Sequence, residues 1–395
     1  MRPGGRLRIL FTFVGGRGHF EPLVPIARAV ERVGHRVAFG CAPSLAAMVR
    51  AEGFTVLPLG TSASGAPERL PLRRVDRARE ERELRDRFAR LAARYRAPFV
   101  LALCAEWQPD VLVCDETDFG AVVAAERLGL PFATVLVIAA GSFVRKEVVG
   151  DVLQELRAEH GLAPDPELEM LRRYLVLSPF PRSLRDPAHP LPATAHAFRP
   201  WEVRSHGEPA PAWSRILPGA PAVYLTLGTV FNTESGDLLE RVVAALRELP
   251  INLLVTVGPH RDPDELGSQP GHVRVERYVA QASVLPHCHA VVCHAGSGSV
   301  LGALAHGLPS LLIPLGADQP LNAERCADLG VAQVLDAMAL TPDGVRAALQ
   351  AVLHEPSHRR NAERLRDEIA ALPEPVHAVR LIQRLAVERR PLYST

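Results

Sequence analysis

The chain has 395 residues, of which 47% are hydrophobic and 23% charged, so it can bury a full core and its length favours two domains. Its 45 basic and 44 acidic residues leave a formal net charge of +1, which favours neither nucleic acid nor an anionic membrane. Small molecules are therefore the expected partners. No apolar run free of charge and proline approaches the twenty or so residues of a membrane span, and the six cysteines are irregularly spaced. Together these features predict a cytoplasmic protein with reduced thiols.

Strands and helices alternate from the start of the chain. Residues 6–14, RLRILFTFV, form a β-branched and aromatic run, and residues 22–34 then repeat apolar side chains at helical spacing. Further apolar strands are predicted at 35–40, 55–59, 110–115 and 131–138, with helices at 45–53 and 119–129. Near-continuous hydrophobicity indicates strands buried on both faces, hence a parallel sheet covered by helices.

A charged stretch at residues 66–96 is predicted to be helical and to belong to this first half. It fits a solvated helix face with ion pairs four residues apart, and it also fits a mobile flap over an apolar acceptor. A loop is predicted at 139–150, and it would line the entrance to the site of this acceptor.

The regular alternation stops at 199–221, a stretch rich in Pro, Gly and Trp that is typical of an interdomain linker. It then restarts, with strands predicted at 222–229, 251–258, 272–279, 290–296 and 309–315 and helices at 237–249, 299–307 and 319–330. We therefore expect an α/β protein of two doubly wound, Rossmann-like domains facing each other across a cleft. The first covers 1–200, the linker 201–220 and the second 221–374. A terminal helix at about 375–395 is amphipathic enough to pack back across both domains.

Polar and small residues follow two strands of the second domain. His294 and the turn Gly296, Ser297, Gly298 and Ser299 come directly after one strand and open a helix. Such a turn lets backbone N–H groups and the helix dipole meet a phosphate, although it is also an ordinary strand-to-helix turn. Asp318 and Gln319 follow the next strand, where they suit sugar hydroxyls or a helix N-cap. Because both loops lie at one sheet edge, phosphate and polyol together point to a nucleotide sugar.

A zinc site within CHAVVCH, residues 288–294, is the alternative for this region. The spacing of Cys288 and Cys293 disfavours it, because a separation of five residues places them on opposite faces of a strand.

In the first domain, His19 follows the first strand and lies just before Pro22, at a helix start whose dipole favours a neutral imidazole able to accept a proton. Asp115 ends another strand at the same edge and is the expected partner that orients the ring. Asp118 is an alternative partner, and Asp110 is disfavoured because it precedes the strand.

The chain resembles the GT-B fold, nucleotide-sugar-dependent glycosyltransferases, most closely the actinobacterial branch that decorates antibiotics and other natural products. The resemblance covers nearly the whole chain and rests on residues 15–30, LGTVFN at 227–232, 277–299 and 316–330. It implies that His19 deprotonates an acceptor hydroxyl and that Asp115 pairs with it. It further implies that His294 and the small residues after it hold the diphosphate with Thr229. Asp318 and Gln319 would hold the sugar, and the nucleobase would meet Tyr278, Val279 and Gln281.

One departure bears on the donor. Many members have a glutamate that binds the ribose hydroxyls at the position of Gly302. Its absence fits a deoxyribose, so we expect a dTDP-sugar, with a UDP-sugar as the alternative donor. The expected reaction is an inverting, metal-independent transfer of a sugar, a deoxysugar by preference, to a hydroxyl of a hydrophobic aglycone. No cofactor is expected, and the sequence leaves open whether two copies associate as a homodimer.

Two rival functions remain. A dinucleotide-dependent oxidoreductase would explain the domains, but Glu21 stands where its fingerprint needs the third glycine, and the second strand lacks a following acidic residue. A non-catalytic helper that activates a partner enzyme could lose its base or its sugar contacts, whereas this chain keeps His19, Asp115, Asp318 and Gln319.

Overall fold

The computed structural model describes residues 5–61, 69–200, 211–229 and 231–394. The chain divides into two compact units. The first comprises Met1–Gly65, Ala78–Glu202 and Leu372–Thr395, and the second Ala66–Arg77 and Val203–Ala371. Residues 201–210 of the predicted linker lie outside the described residues, and Ala212–Arg215 forms a 3-10 turn. No helix in the described ranges combines the length and the apolar character needed to span a bilayer.

The first unit contains a parallel sheet in the order β3-β2-β1-β4-β5-β6-β7. Its elements, in chain order, are β1 (Arg8–Thr12), α1 (Arg17–Phe20), α2 (Val24–Arg32), β2 (Arg36–Cys41), α3 (Ala46–Ala51), β3 (Val56–Pro58), α4 (Arg77–Glu83), α5 (Ala93–Trp107), β4 (Val111–Asp115), α6 (Phe119–Arg127), β5 (Phe132–Val135), α7 (Lys146–Glu159), β6 (Leu175–Ser178) and β7 (Ala195–Ala197). A π-helical segment, Leu84–Ala92, joins α4 to α5. The central strands are fully buried because their residues are apolar on both faces.

The second unit contains a parallel sheet in the order β10-β9-β8-β11-β12-β13. Its elements are β8 (Ala222–Thr226), α8 (Leu238–Leu246), β9 (Asn252–Thr256), β10 (Val273–Glu276), α9 (Gln281–Val284), β11 (Ala290–Cys293), α10 (Ser297–Ala305), β12 (Ser310–Leu312), α11 (Gln319–Asp328), β13 (Ala332–Val334), α12 (Pro342–His354) and α13 (Pro356–Ala370). The two parallel, helix-covered sheets confirm the predicted fold class of doubly wound domains.

The terminal helix α14 (Pro375–Glu388) belongs to the first unit. Its buried face, which includes Ile382 and Leu385, packs in one core cluster with Phe11 of β1 and with Ile26 of α2. The sequence predicted that this helix would pack across both domains. In the structure, the core that the helix joins is that of the first unit.

The start of the charged stretch was predicted to belong to the first half of the chain, but its described residues 69–77 group with the second unit. Arg69 makes a two-pronged ion pair with Glu265, at 2.7 Å for each N–O contact. The amide of Leu70 donates to the carbonyl of Thr233 at 2.8 Å. These long-range contacts place the segment in the second unit. The charge pattern of the segment itself does not predict them.

The helical remainder of the charged stretch is held by ion pairs to another helix. Arg85 contacts Asp151, Arg90 contacts Glu155 at 3.2 Å, and Arg94 contacts Glu159 at 2.8 Å, all on α7. Pairs four residues apart, such as Arg87 with Glu83, also occur. The observed contacts therefore match the solvated, ion-paired helix better than the flap. Helix α7 itself begins at Lys146, inside the stretch predicted as a loop.

Candidate active site

The first cluster of site residues lies at the carboxyl ends of β1 and β4, which are neighbours in the sheet. His19 is part of the helical turn that follows β1, and its Nδ1 lies 3.4 Å from Oδ1 of Asp115, the last residue of β4. The carboxylate is fully buried, whereas 24% of the histidine side chain is exposed. The amide of Val14 donates to the other carboxylate oxygen at 2.7 Å. The pair is thus held by the backbone of both strand ends.

A glycine allows the imidazole to lie against the backbone. Gly15 has a φ of +98°, and a Cβ added there would lie 2.6 Å from Cδ2 of His19. Any other residue at this position would be strained and would displace the ring. The ring of Phe88, from the π-helical segment, lies nearly parallel to the imidazole at a centroid distance of 6.1 Å.

The alternative partners of His19 are engaged elsewhere. Asp118 caps α6 and forms a buried, two-pronged ion pair with Arg96 at 2.6 and 2.9 Å. Asp110 accepts a hydrogen bond from the amide of Arg8 at the opposite ends of the strands. The geometry therefore brings Asp115 to His19. It also brings in Thr117, which the sequence analysis missed, with its hydroxyl 3.2 Å from Nδ1 of His19.

A second carboxylate follows directly after Asp115. Glu116 is buried, and its Oε1 accepts hydrogen bonds from the amides of Val137 and Ile138 at 2.6 and 2.7 Å. Burial raises the pKa of Glu116 to about 7, against the opposing effects of Arg185 and of these amides. Glu116 is a polar residue at the end of a strand, a position that could have drawn attention to it.

The second cluster lies in the second unit, where β11 runs into α10. The half-buried ring of His294 lies against two glycines. A Cβ added to Gly296 would lie 2.5 Å from Nε2, and one added to Gly228, where φ is +76°, would lie 2.6 Å from Cε1. Gly228 follows β8, the neighbour of β11 in the sheet. Small residues at both positions are therefore needed for this ring to fit.

Burial lowers the pKa of His294 to about 4. Its Nδ1 is buried and has no hydrogen-bond partner in the described part of the chain. The ring is consequently neutral near pH 7. A neutral ring can offer a diphosphate a hydrogen bond but no positive charge.

Asp318 is tied to the small-residue turn. Ser297 donates from its hydroxyl to Oδ2 of Asp318 at 2.7 Å, and Asn322 donates to the same oxygen at 2.7 Å. Although Asp318 occupies the N-cap position of α11, its side chain makes no capping hydrogen bond. Asn322 went unnoticed in the sequence because its role depends on these contacts. The two loops expected to meet at one sheet edge do meet.

Gln319 is buried, and its side-chain oxygen accepts hydrogen bonds from the amides of Leu315 and Gly316 at 2.8 and 3.2 Å. This side chain therefore shapes the loop before α11. Its position next to Asp318 is as predicted, whereas a contact with a sugar stays a prediction.

The residues expected around the nucleobase differ in exposure. Tyr278 is 51% exposed, as a stacking surface for a base requires, and Val279 is half-buried beside it. The Nε2 of Gln281 lies 3.4 Å from the hydroxyl of Ser299. A Cβ added to Gly302 would approach Oε1 of Gln281 and Cδ1 of Leu285, both at 3.1 Å, so these side chains fill the space beside that glycine.

Two further predicted residues lie at the edges of this cluster. Thr229 is half-buried directly after Gly228, and Gly298 is exposed in the first turn of α10 with open space around its Cα. The described residues contain no group of three or more potential ligands that could hold a metal ion. The zinc alternative at 288–294 thus has no support, and Cys288 and Cys293 are buried thiols.

Comparison with known proteins identifies relatives that match nearly the whole chain. A family profile described as the C-terminal domain of erythromycin biosynthesis protein CIII-like proteins matches residues 240–385. The chain is 30% identical to 4'-demethylrebeccamycin synthase from Lentzea aerocolonigenes, over 96% of this chain and 99% of the relative. It is 28% identical to 10-deoxymethynolide desosaminyltransferase from Streptomyces venezuelae, over 97% and 98% of the two chains. The solved structure of spinosyn rhamnosyltransferase SpnG complexed with thymidine diphosphate is 25% identical, with a TM-score of 0.78 over 95% of this chain and all of that one.

The two doubly wound domains of the chain match the GT-B fold of these solved structures. The chain belongs to the GT-B glycosyltransferases of antibiotic and natural-product biosynthesis, and it is a glycosyltransferase.

The substitution Gly296→Ala should weaken the binding of dTDP by about ten- to a hundredfold, because the added methyl displaces His294 and removes a hydrogen bond to a charged group. Isothermal titration calorimetry measures the effect. Gly271→Ala, at an open position of the same unit, is the matched control and should bind as the original chain does. Equal affinity of all three proteins for dTDP would show that the position of the His294 ring does not affect nucleotide binding.

Glu116→Gln should raise the free energy of unfolding more at pH 8 than at pH 5. The pKa of Glu116 is about 7 in the folded protein and 4.5 ordinarily, so the folded state holds the proton more tightly. The cost of burying the ionised form therefore grows as pH rises between these values, to about 3 kcal/mol at most. Urea unfolding at both pH values tests this. The control is Glu147→Gln, at an exposed carboxylate. An equal effect of Glu116→Gln at both pH values would contradict the assignment.

Proposed function

We propose that the protein transfers a deoxysugar from a dTDP-sugar to a hydroxyl of a hydrophobic natural-product aglycone, with inversion at the anomeric carbon and without a metal. The names of relatives support this substrate class: one is a 10-deoxymethynolide desosaminyltransferase, and another is an aclacinomycin-T 2-deoxy-L-fucose transferase. The six buried, free cysteines support a reducing compartment, and we propose the cytoplasm as the place of the reaction.

The observation that carries the proposal is the pairing of His19 with Asp115. Nδ1 is the ring nitrogen that faces the carboxylate, at 3.4 Å. A neutral imidazole that donates from Nδ1 has its lone pair on Nε2, and such a nitrogen can accept the proton of an acceptor hydroxyl. The buried carboxylate then stabilises the imidazolium that forms. The rival function of a non-catalytic helper does not require this arrangement.

The chemical step is a direct displacement. The acceptor oxygen attacks the anomeric carbon while the bond from that carbon to the diphosphate oxygen breaks, and the hydroxyl proton passes to Nε2 of His19. A single displacement inverts the anomeric configuration.

The leaving diphosphate gains negative charge, and its stabilisation falls to the turn that opens α10. Backbone N–H groups at this helix start and its dipole favour an anion. His294 is neutral near pH 7, so it serves first as a hydrogen-bonding group, and a bound diphosphate would favour its protonation. Asp318, held by Ser297 and Asn322, is the proposed acceptor of sugar hydroxyl protons.

The preference for dTDP rests on Gly302. Many family members carry a glutamate there that binds the ribose hydroxyls. This chain has a glycine at 302 and therefore no carboxylate at this position, and Gln281 and Leu285 fill the space beside it. A deoxyribose lacks the hydroxyl that would be left unpaired. The thymidine diphosphate bound in the solved relative SpnG is in keeping with this preference.

His19→Ala should abolish sugar transfer while dTDP still binds, because the base is lost and the donor site is untouched. Transfer from a dTDP-deoxysugar in the presence of EDTA would be followed by mass spectrometry. Tylactone and aklavinone serve as acceptors, since they appear in the names of two relatives. The anomeric configuration of the product would be read by NMR. Retained turnover of the variant, a product with retained configuration, or loss of all activity in EDTA would each contradict part of the proposal.

Nucleotide affinity should fall in the order dTDP, dUDP, UDP, with the larger step, about tenfold or 1.4 kcal/mol, between dUDP and UDP. Comparing dUDP with UDP isolates the ribose hydroxyl, and comparing dTDP with dUDP isolates the methyl group of the base. Calorimetric titrations of the three nucleotides measure these steps. Equal or tighter binding of UDP would rule out the deoxyribose preference.

A further inference from the structure

The hydroxyl of Thr117 lies between the imidazole of His19 and the carboxylate of Asp115. It is 3.2 Å from Nδ1 of the histidine and 2.6 Å from Oδ1 of the aspartate. The direct contact between that nitrogen and that oxygen is longer, at 3.4 Å. Thr117 is 3% exposed, so water does not compete for its hydroxyl. Hydrogen bonds from N–H to oxygen normally span about 2.7–3.2 Å, and the threonine is thus the better-placed partner.

The number of hydrogens on each group sets the direction of these bonds. Asp115 is an acceptor when ionised, and it already receives the amides of Val14 and Thr117, each at 2.7 Å. The single hydroxyl hydrogen of Thr117 is therefore donated to Asp115. Only its lone pairs are left for His19, so Nδ1 must carry a hydrogen and donate it. This order fixes the tautomer in which Nε2 has the lone pair.

We infer that Thr117 is a positioning residue that connects Asp115 to His19 and holds the base in its reactive tautomer. This inference rests on the proposed role of His19. No proton reaches the threonine or the aspartate in the reaction. When Nε2 takes the proton from the acceptor, Nδ1 keeps its own hydrogen, and the hydroxyl continues to donate to the carboxylate.

The test uses the full chain labelled with ¹⁵N-histidine, whose imidazole nitrogens report the tautomer by NMR. The signals of His19 are assigned by their loss in His19→Gln. The original chain should show the Nδ1–H form. Thr117→Val keeps the shape and removes the hydroxyl, so the Nδ1–H form should no longer predominate. Thr117→Ser keeps the hydroxyl and should restore the original spectrum.

Transfer to tylactone or aklavinone gives a second readout. Thr117→Val should lower kcat about ten- to a hundredfold, as when the hydrogen-bond partner of a metal-ligating histidine is removed, and should shift the acidic limb of the pH–rate profile. The KM for the dTDP-sugar should stay within about twofold, which shows that the variant is folded. Thr117→Ser should recover most of kcat.

The outcomes separate this inference from the proposed function. An Nε2–H tautomer in the original chain, an unchanged spectrum in Thr117→Val, or equal losses in the valine and serine variants would overturn the role of Thr117. If His19→Ala retained transfer, the proposed base would fail and the role of Thr117 in catalysis with it. If His19→Ala were inactive while Thr117→Val matched the original chain, only the inference about Thr117 would fail.

Discussion

Both histidines of the candidate site are packed against glycine backbone, in space that a Cβ would occupy. In each unit the glycine follows the central strand where the order of the sheet reverses: Gly15 follows β1, between β2 and β4, and Gly228 follows β8, between β9 and β11. Such switch points separate neighbouring loops and open a crevice at the carboxyl ends of parallel strands. Two copies of one topological feature thus position an imidazole beside Asp115 in the first unit and in the turn before α10 in the second.

The sequence predicts most of this frame because buried parallel strands are recognisable as apolar runs. Strand β4 is observed at Val111–Asp115, within the run predicted at 110–115. Strands β7 (AHA) and β13 (AQV) have a polar residue in the middle of three, so they do not form such an apolar run. Contacts distant in sequence are equally hidden. Arg69 groups with the second unit because it meets Glu265, and Thr117 and Asn322 become part of the site through their distant contacts with His19 and Ser297. Residue type and local spacing do not predict those distant partners.

Two consecutive carboxylates at the end of β4 contact different neighbouring segments. Successive side chains of an extended chain point to opposite sides. Asp115 accordingly meets the loop after β1 through Val14, while Glu116 meets the segment after β5 through Val137 and Ile138. Their surroundings also differ, since the hydroxyl and amide of Thr117 both donate to Asp115. Burial raises the pKa of Glu116 to about 7. One strand end therefore contacts the proposed base, His19, and also anchors the segment after β5, and a change at either carboxylate would disturb a different neighbour.

The two histidines contrast in their charged surroundings. His19 has a buried carboxylate beside Nδ1, so a proton taken up at Nε2 finds a compensating charge already in place. His294 has no such partner in the described structure, and burial lowers its pKa to about 4. An unpaired buried cation is costly, and a neutral ring avoids that cost. A diphosphate would bring its own negative charge and would favour protonation of His294. The roles proposed for the two histidines, a base in the first unit and an anion contact in the second, accord with this difference in their surroundings.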